Sequence, residues 1–329
     1  MFLPYCDGSC FTSDRDAPWP VNGSNSSLHF RGLANLDRTL DVLESRFGLT
    51  NAQRLVLQGG SAGGLSTYLH LDRVTARLKL AQERQREKAT AEKEKERRAV
   101  APPQVVGRPV AGFFIDEKKF TPFLPGTKIP TPSYADAVKY GVAMFNSTPP
   151  LSAACKAAHP GEEWRCWMAT YASPFVKGPI FAVQSRFDEF QLQCLLGLPC
   201  FRHQAYEPPF APSNCTVDEK TAILGFGAEL VTQMQPFLKA AKNGLWLVSC
   251  IQHDVNALIE NVTEVAAFTS WFTKGKLGSD INYRWVDDCG NLGRTPCNVG
   301  THCAPPHFTV PPVKSGDGEP AGATAKLTP

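Results

Sequence analysis

One hexapeptide limits what this chain can fold into more than any other feature: Gly59-Gly60-Ser61-Ala62-Gly63-Gly64. It stands between the apolar run Leu55-Val56-Leu57, which reads as a short buried strand, and residues Leu65 to about Leu78, which read as a helix. Small residues on both sides of one serine let the backbone turn sharply from strand to helix. A serine on such a turn is held out of the sheet at the helix N-terminus, where backbone N–H groups meet negative charge developing on a substrate oxygen. The letters fit G-x-S-x-G, the nucleophile elbow, with Ser61 as nucleophile and the Ala62 N–H as an oxyanion donor. A glycine-rich packing turn is one alternative. A phosphate cradle is another, but no Lys follows to complete a P-loop.

The rest of the chain supports an α/β reading. Leu33, Leu36, Leu40, Leu43 and Phe47 recur at helical spacing and end at Gly48. Val105–Ile115, Pro179–Ser185 and Leu245–Cys250 are strand candidates; Tyr134–Phe145, 217–241 and Val262–Phe272 are helix candidates. Strands that alternate with helices build a sheet covered by helices. Residues 79–98 differ in character, with 13 of 20 charged and no aromatic residue, and read as a solvated helix or an inserted linker. The expected organisation is therefore residues 1–78 as the first part of one domain, 79–104 as insertion or linker, 105–303 as the remainder and 304–329 as a disordered tail.

A serine nucleophile requires a base, and the base an orienting acid. Where such an elbow is used, the chain order is Ser, then Asp or Glu, then His. Asp188 lies just beyond the strand candidate ending at Ser185, with Glu189 as a rival acid. His253 lies just beyond the candidate ending at Cys250. Loops at strand ends are where such sheets put their sites. A helix cap for Asp188 and a surface loop for His253 are the plain alternatives. His29, His70, His159, His203, His302 and His307 follow no comparable strand.

Composition narrows the class. Thirty-four basic and 31 acidic residues leave a net charge of +3, so no basic field argues for nucleic acid. No apolar run reaches the roughly 18 to 20 residues of a membrane span. Eleven cysteines, spaced without a zinc pattern, read as disulfides of an oxidising compartment. Glycosylation sequons at Asn22, Asn25, Asn146, Asn214 and Asn261 agree with secretion. Yet Met1 to Cys6 has neither the charged nor the apolar region of a signal peptide, and an odd cysteine count leaves one thiol unpaired. Both are expected of a chain that begins inside a longer protein.

Several segments together resemble the pectin acetylesterase / Notum family of carboxylesterases. They are Tyr5-Cys6-Asp7-Gly8-Ser9, Leu28-His29-Phe30-Arg31-Gly32, Gly60-Ser61-Ala62-Gly63-Gly64-Leu65 and Leu71-Asp72. Gly161-Glu162-Glu163-Trp164 with Cys166, and Val183-Gln184 through Phe187-Asp188-Glu189 to Gln191-Leu192, resemble the Notum branch. Ser249-Cys250 with His253 resembles the plant branch. The resemblance runs in order over roughly residues 5–260. It implies a three-layer α/β-hydrolase-like fold, lacking the N-terminal strands, and a triad at Ser61, Asp188 and His253. It further implies a secreted, disulfide-bonded protein, extracellular or in a cell wall.

Two departures matter. The family's upstream Gly-Gly-Gly-Trp segment, which helps form the oxyanion hole, does not occur here. Val110 stands where the family often has Asp before Ala111-Gly112-Phe113-Phe114. The expected activity is ester hydrolysis without metal or organic cofactor, removing an acyl group, acetyl above all, from a polysaccharide such as pectin. A protein-lipid deacylase, a non-catalytic carbohydrate-binding relative and a peptidase are the alternatives. A monomer is expected. A Gly-Gly-Gly-Trp extension is expected to raise kcat/KM about 10²-fold.

Overall fold

The computed structural model of the protein describes residues 1–5, 7–21, 23–91, 103–116, 133–198, 200, 215–253, 255, 257–274 and 283–287. The tail expected at 304–329 and residues 92–102 of the charged stretch lie outside them.

A short antiparallel hairpin of β1 (Trp19–Pro20) and β2 (Ser27–Leu28) precedes α1 (Gly32–Phe47). Leu33, Leu36 and Leu40 give α1 its buried stripe. Gly48, at φ 64°, ends the helix and returns its N–H to the Leu43 carbonyl, a left-handed cap that glycine adopts at no steric cost. Strand β3 (Arg54–Gly60) passes through Ser61 into α2 (Ala62–Ala91). Then come β4 (Gln104–Val110), α3 (Tyr134–Phe145), α4 (Ala153–Ala158), α5 (Ala169–Ala172), β5 (Phe181–Phe187), α6 (Val217–Leu238) and β6 (Gly244–Ile251). The hairpin β7 (Leu258–Ile259) with β8 (Val262–Thr263), α7 (Glu264–Lys274) and β9 (Arg284–Val286) complete the order.

Five strands form one all-parallel sheet in the order β3-β4-β5-β6-β9. Side chains alternate between its faces. Val105, Ala182, Leu245 and Leu247 meet Leu71 and Leu78 of α2 and Phe226 and Phe237 of α6 on one side. Val106, Val183, Trp246 and Val248 meet Ala267 and Trp271 of α7 on the other. Helices on both faces bury β6 along its whole length and β5 at all but Arg186, which is why these strands read largely as apolar runs. The architecture is the three-layer α/β sheet expected. No helix among the described residues is long and apolar enough to cross a membrane.

Three expectations shift. Helix α2 does not stop at Leu78 but runs to Ala91, so the charged stretch opens as its continuation, the solvated-helix alternative of the two read from sequence. Leu78 is fully buried and Gln82 nearly so, its amide donating to the Thr50 carbonyl at 2.9 Å, so the boundary expected after residue 78 falls inside a packed helix. The strand expected over Val105–Ile115 ends at Val110, because Ala111 turns to φ 48°. Phe113 to Ile115 are nevertheless buried. Val262 and Thr263 belong to the β7–β8 hairpin, not to α7.

Disulfides join Cys155 to Cys166 and Cys200 to Cys215, and Cys250 is disulfide-bonded as well. Cys10 is a buried free thiol that burial pushes up to about 12.

Candidate active site

Ser61 is the single residue between β3 and α2, and it sits at φ 54°. A non-glycine residue in that region is strained and must be held there. Its N–H donates to the Val110 carbonyl at 2.8 Å, and its carbonyl accepts from Leu65 N at 3.0 Å. The glycines are required by close approach. A Cβ on Gly59 would stand 2.3 Å from the Gly63 carbonyl, and one on Gly64 2.5 Å from the Val110 oxygen. The elbow is thus a place where β3, the start of α2 and the end of β4 touch through bare backbone. The packing-turn reading and the nucleophile reading describe the same residues. At Val110 it is the backbone oxygen, not the side chain, that the elbow uses. Ala62 opens α2, so its N–H belongs to the first helical turn, which has no intrahelical acceptor.

Asp188 follows β5 directly and is fully buried; His253 lies two residues past β6 and is half-buried. His253 Nδ1 is 2.9 Å from Asp188 Oδ2. A carboxylate accepts, so Nδ1–H donates, and in the neutral ring Nε2 then carries the lone pair. Asp188 has further donors: Gln184 Nε2 at 3.2 Å from Oδ2 and the Gln191 backbone N–H at 2.9 Å from Oδ1. The pairing of β5 with β6 shifts register between Ser185 and Phe187. Ser185 stitches this irregularity, donating its hydroxyl to the Cys250 carbonyl and accepting from Phe187 N–H. Such a bulge bends a strand and re-aims the next side chains along it, here Asp188. Two rings flank the imidazole: Phe190 at 5.4 Å between centroids and Phe114 at 6.5 Å, themselves edge to face at 5.8 Å.

Strands β3, β5 and β6 are parallel, so the residues after their C-terminal ends share one end of the sheet. Asp188 and His253 touch there. Ser61 stands at the same end, on a strand next but one to β5, about 10 Å away at ordinary strand spacing.

Sequence reasoning missed the role of Gln184 and Gln191, and missed Gln233 altogether. The buried backbone of 113–116 is not in the sheet, and these side chains satisfy it. Phe113 N–H donates to Gln184 Oε1 (3.1 Å), Ile115 N–H to Gln191 Oε1 (3.0 Å) and Asp116 N–H to Gln233 Oε1 (3.0 Å). A glutamine inside the apolar run P-I-F-A-V-Q-S was the available signal.

Among the other histidines, His70 is buried on α2 with Nε2 2.9 Å from the Cys10 carbonyl, and burial pushes it down to about 4. His159 packs on Tyr171 and His29 is exposed. His203, His302 and His307 lie outside the described residues. Cys200, Cys215 and Glu219 cluster as metal ligands would, but the two sulfurs are bonded to each other and offer no thiolate.

A model of the family described as pectinacetylesterase matches residues 1–289. Pectin acetylesterase 11 of Arabidopsis thaliana is 26% identical over 305 residues, 89% of this chain and 67% of that protein. Pectin acetylesterase 7 of the same plant is 27% identical over 82% of this chain and 63% of its own length. A Notum palmitoleoyl-protein carboxylesterase of Danio rerio is 28% identical over 58% of this chain and 33% of that one. The chain thus spans about a third to two thirds of the length of these relatives. The structure of the Wnt deacylase Notum from Drosophila superposes with a TM-score of 0.63 at 23% identity, covering 87% of this chain and 71% of that one, and so shares the fold. The family match runs through the elbow and through Asp188 and His253 alike: this chain is a member of the pectinacetylesterase family.

Proposed function

We propose that the chain is a serine carboxylesterase in which Ser61, His253 and Asp188 act together. The carrying observation is the 2.9 Å bond between His253 and Asp188 at the sheet end that also bears Ser61 on its elbow. His253 Nε2 takes the Ser61 hydroxyl proton as the oxygen attacks the ester carbonyl. Asp188 fixes the tautomer and stabilises the imidazolium. The Ala62 N–H stabilises the oxyanion. His253 then returns the proton to the departing alcohol, and water, activated the same way, releases the acid from the acyl-enzyme. The substrate class is an acetylated polysaccharide such as pectin, supported by the family and by the plant relatives' coverage of most of this chain. A second reading, removal of a fatty acyl group from protein, is favoured by the Notum relatives and by the aromatic rings beside His253.

The test is the burst of p-nitrophenol from p-nitrophenyl acetate and p-nitrophenyl octanoate. A burst abolished in Ser61→Ala is expected. An equal signal from both proteins, or no signal beside carbohydrate binding, would replace the esterase by the non-catalytic reading. A kcat/KM higher for octanoate would favour the second substrate.

Family and relatives also support a secreted, extracellular protein. Asn25 and Asn261 sit exposed at the tips of the β1–β2 and β7–β8 hairpins, so their side-chain amides are open to glycan attachment. Asn146 instead caps α3 in a left-handed conformation and donates its amide to the Asp14 carbonyl at 2.8 Å. On protein secreted from a eukaryotic host, Asn25→Gln and Asn261→Gln are each expected to remove one endoglycosidase-sensitive mass. A mass unchanged by endoglycosidase would overturn this.

A further inference from the structure

Asp188 does not hold His253 alone. Gln184, 1% exposed on β5, points its amide between two partners of opposite demand. Its Oε1 accepts from Phe113 N–H at 3.1 Å, while its Nε2 donates to Asp188 Oδ2 at 3.2 Å and to the Ser185 carbonyl at 3.4 Å. This orientation is fixed by chemistry: the flipped amide would set oxygen against carboxylate and N–H against N–H. Gln191, fully buried, works beside it. Its backbone N–H reaches Asp188 Oδ1, its Oε1 accepts from Ile115 N–H, and its Nε2 donates to the Phe113 carbonyl at 3.1 Å. Two glutamines thus tie the carboxylate under the imidazole to the segment whose middle residue, Phe114, lies against the imidazole ring.

We propose that Gln184 is a positioning residue for the reaction: it shares Asp188 Oδ2 with His253 Nδ1–H and so sets how strongly the carboxylate holds the imidazolium. The inference rests on the esterase reading above. A hydrogen bond donated to a carboxylate spreads its charge. With Gln184 in place, Asp188 stabilises the imidazolium less than a carboxylate without that donor would, and His253 gives its proton up more readily. Without the donor, His253 should titrate at higher pH. The ionisable groups around the pair include Glu189 and Cys194, whose thiol is pushed up by burial first and then by the charges of Asp188 and Glu189. Both stay in every variant.

Gln184→Met removes donor and acceptor together. Gln184→Glu keeps an acceptor for Phe113 N–H, and beside the buried Asp188 carboxylate its carboxyl is held protonated and donates its O–H in place of the amide. The expected result is a kcat lowered about 10-fold in Gln184→Met, with KM nearly unchanged, and a kcat close to wild type in Gln184→Glu. The acid limb of kcat should move upward in Gln184→Met. A readout independent of turnover is histidine NMR of the full chain, with the His253 signal assigned by its loss in His253→Asn. Its midpoint should rise by about half a unit or more in Gln184→Met and stay near wild type in Gln184→Glu. If Gln184 merely anchors the 113–115 segment, the midpoint does not move in Gln184→Met; that result overturns the proposal. Should Gln184→Met not fold, Gln184→Asn, one methylene too short to reach Asp188, must still raise the midpoint. An absence of Ser61-dependent hydrolysis in the wild type defeats the esterase reading, while the NMR midpoint still decides the role of Gln184.

Discussion

Strand β3, which delivers Ser61, lies at an edge of the sheet among the described residues, with Arg54, Gln58 and Gly60 exposed, whereas β6, which leads to His253, is buried along its whole length. The two halves of the site are held by different means to match. The serine half is held by backbone against backbone: Gly59 on Gly63, Gly64 on Val110, Ser61 N–H on the Val110 carbonyl. Such contacts need only small residues close in sequence, and they tolerate a half-exposed strand. The Asp188–His253 half is held by buried polar groups, the Gln184 amide and the Gln191 backbone N–H on Asp188 and both glutamine side chains on the 113–115 backbone, and these function only where water is excluded. A nucleophile can be fixed by local geometry; a carboxylate that must orient an imidazole needs a dry, fully satisfied shell.

That contrast can be broken at either half. The largest effect is expected from Asp188→Asn, which keeps the shape but favours the wrong imidazole tautomer; kcat should fall about 10⁴-fold, while stability falls only by about 1 to 3 kcal/mol, the cost of one buried donor left facing the amide nitrogen. Steady-state kinetics beside urea unfolding checks it, and a stability loss without the fall in kcat would mean that the acid is structural. Gly64→Ala attacks the other half, where a Cβ has no room. It should cost about 3 kcal/mol or more of stability, read by urea unfolding, because the obstacle is backbone that cannot step aside.

A smaller effect concerns His70, which clasps the 7–13 loop to the serine-bearing helix through the Cys10 carbonyl. Its folded value, about 4, lies below the ordinary value near 6.5. Neutral His70 therefore contributes fully above about pH 6.5, and that contribution is lost as the pH falls toward 4. Between pH 8 and 5 the wild type should lose about 2 kcal/mol through this group; His70→Gln should not, so the stability difference between the two proteins should shrink by about that amount on going from pH 8 to 5. The smallest effects compare strands directly. Val183→Ala on buried β5 should cost about 2 kcal/mol and Val56→Ala on β3 under about 1 kcal/mol. Equal costs would show that β3 is packed as tightly as the inner strands.

The same contrast explains what was legible in the sequence. The elbow is local, so its glycines and the flanking apolar run announced it. The strands ending before Asp188 and His253 were legible as apolar runs because both their faces are covered. Gln184 and Gln191 were visible as polar residues of a family-like segment, but their role was not, since their partners stand about 70 residues away in Phe113 and Ile115. The end of β4 was misjudged for a related reason: Phe113, Phe114 and Ile115 are apolar because they are buried, not because they are in a strand. The charged face of α2 hid the few inward residues, Leu78 and Gln82, that keep the helix packed beyond the expected boundary.

The order of strands across the sheet is also their order along the chain. During synthesis, each new strand can therefore dock on the free side of the one made just before it, with no gap left for a later segment to fill. The elbow would be shaped early, while His253 is still unmade. At about 5 to 20 residues per second, the ribosome needs on the order of ten seconds or more between them. For that interval the nascent chain carries a strained serine without the buried Asp188–His253 pair, which forms only when β6 slots in beside β5.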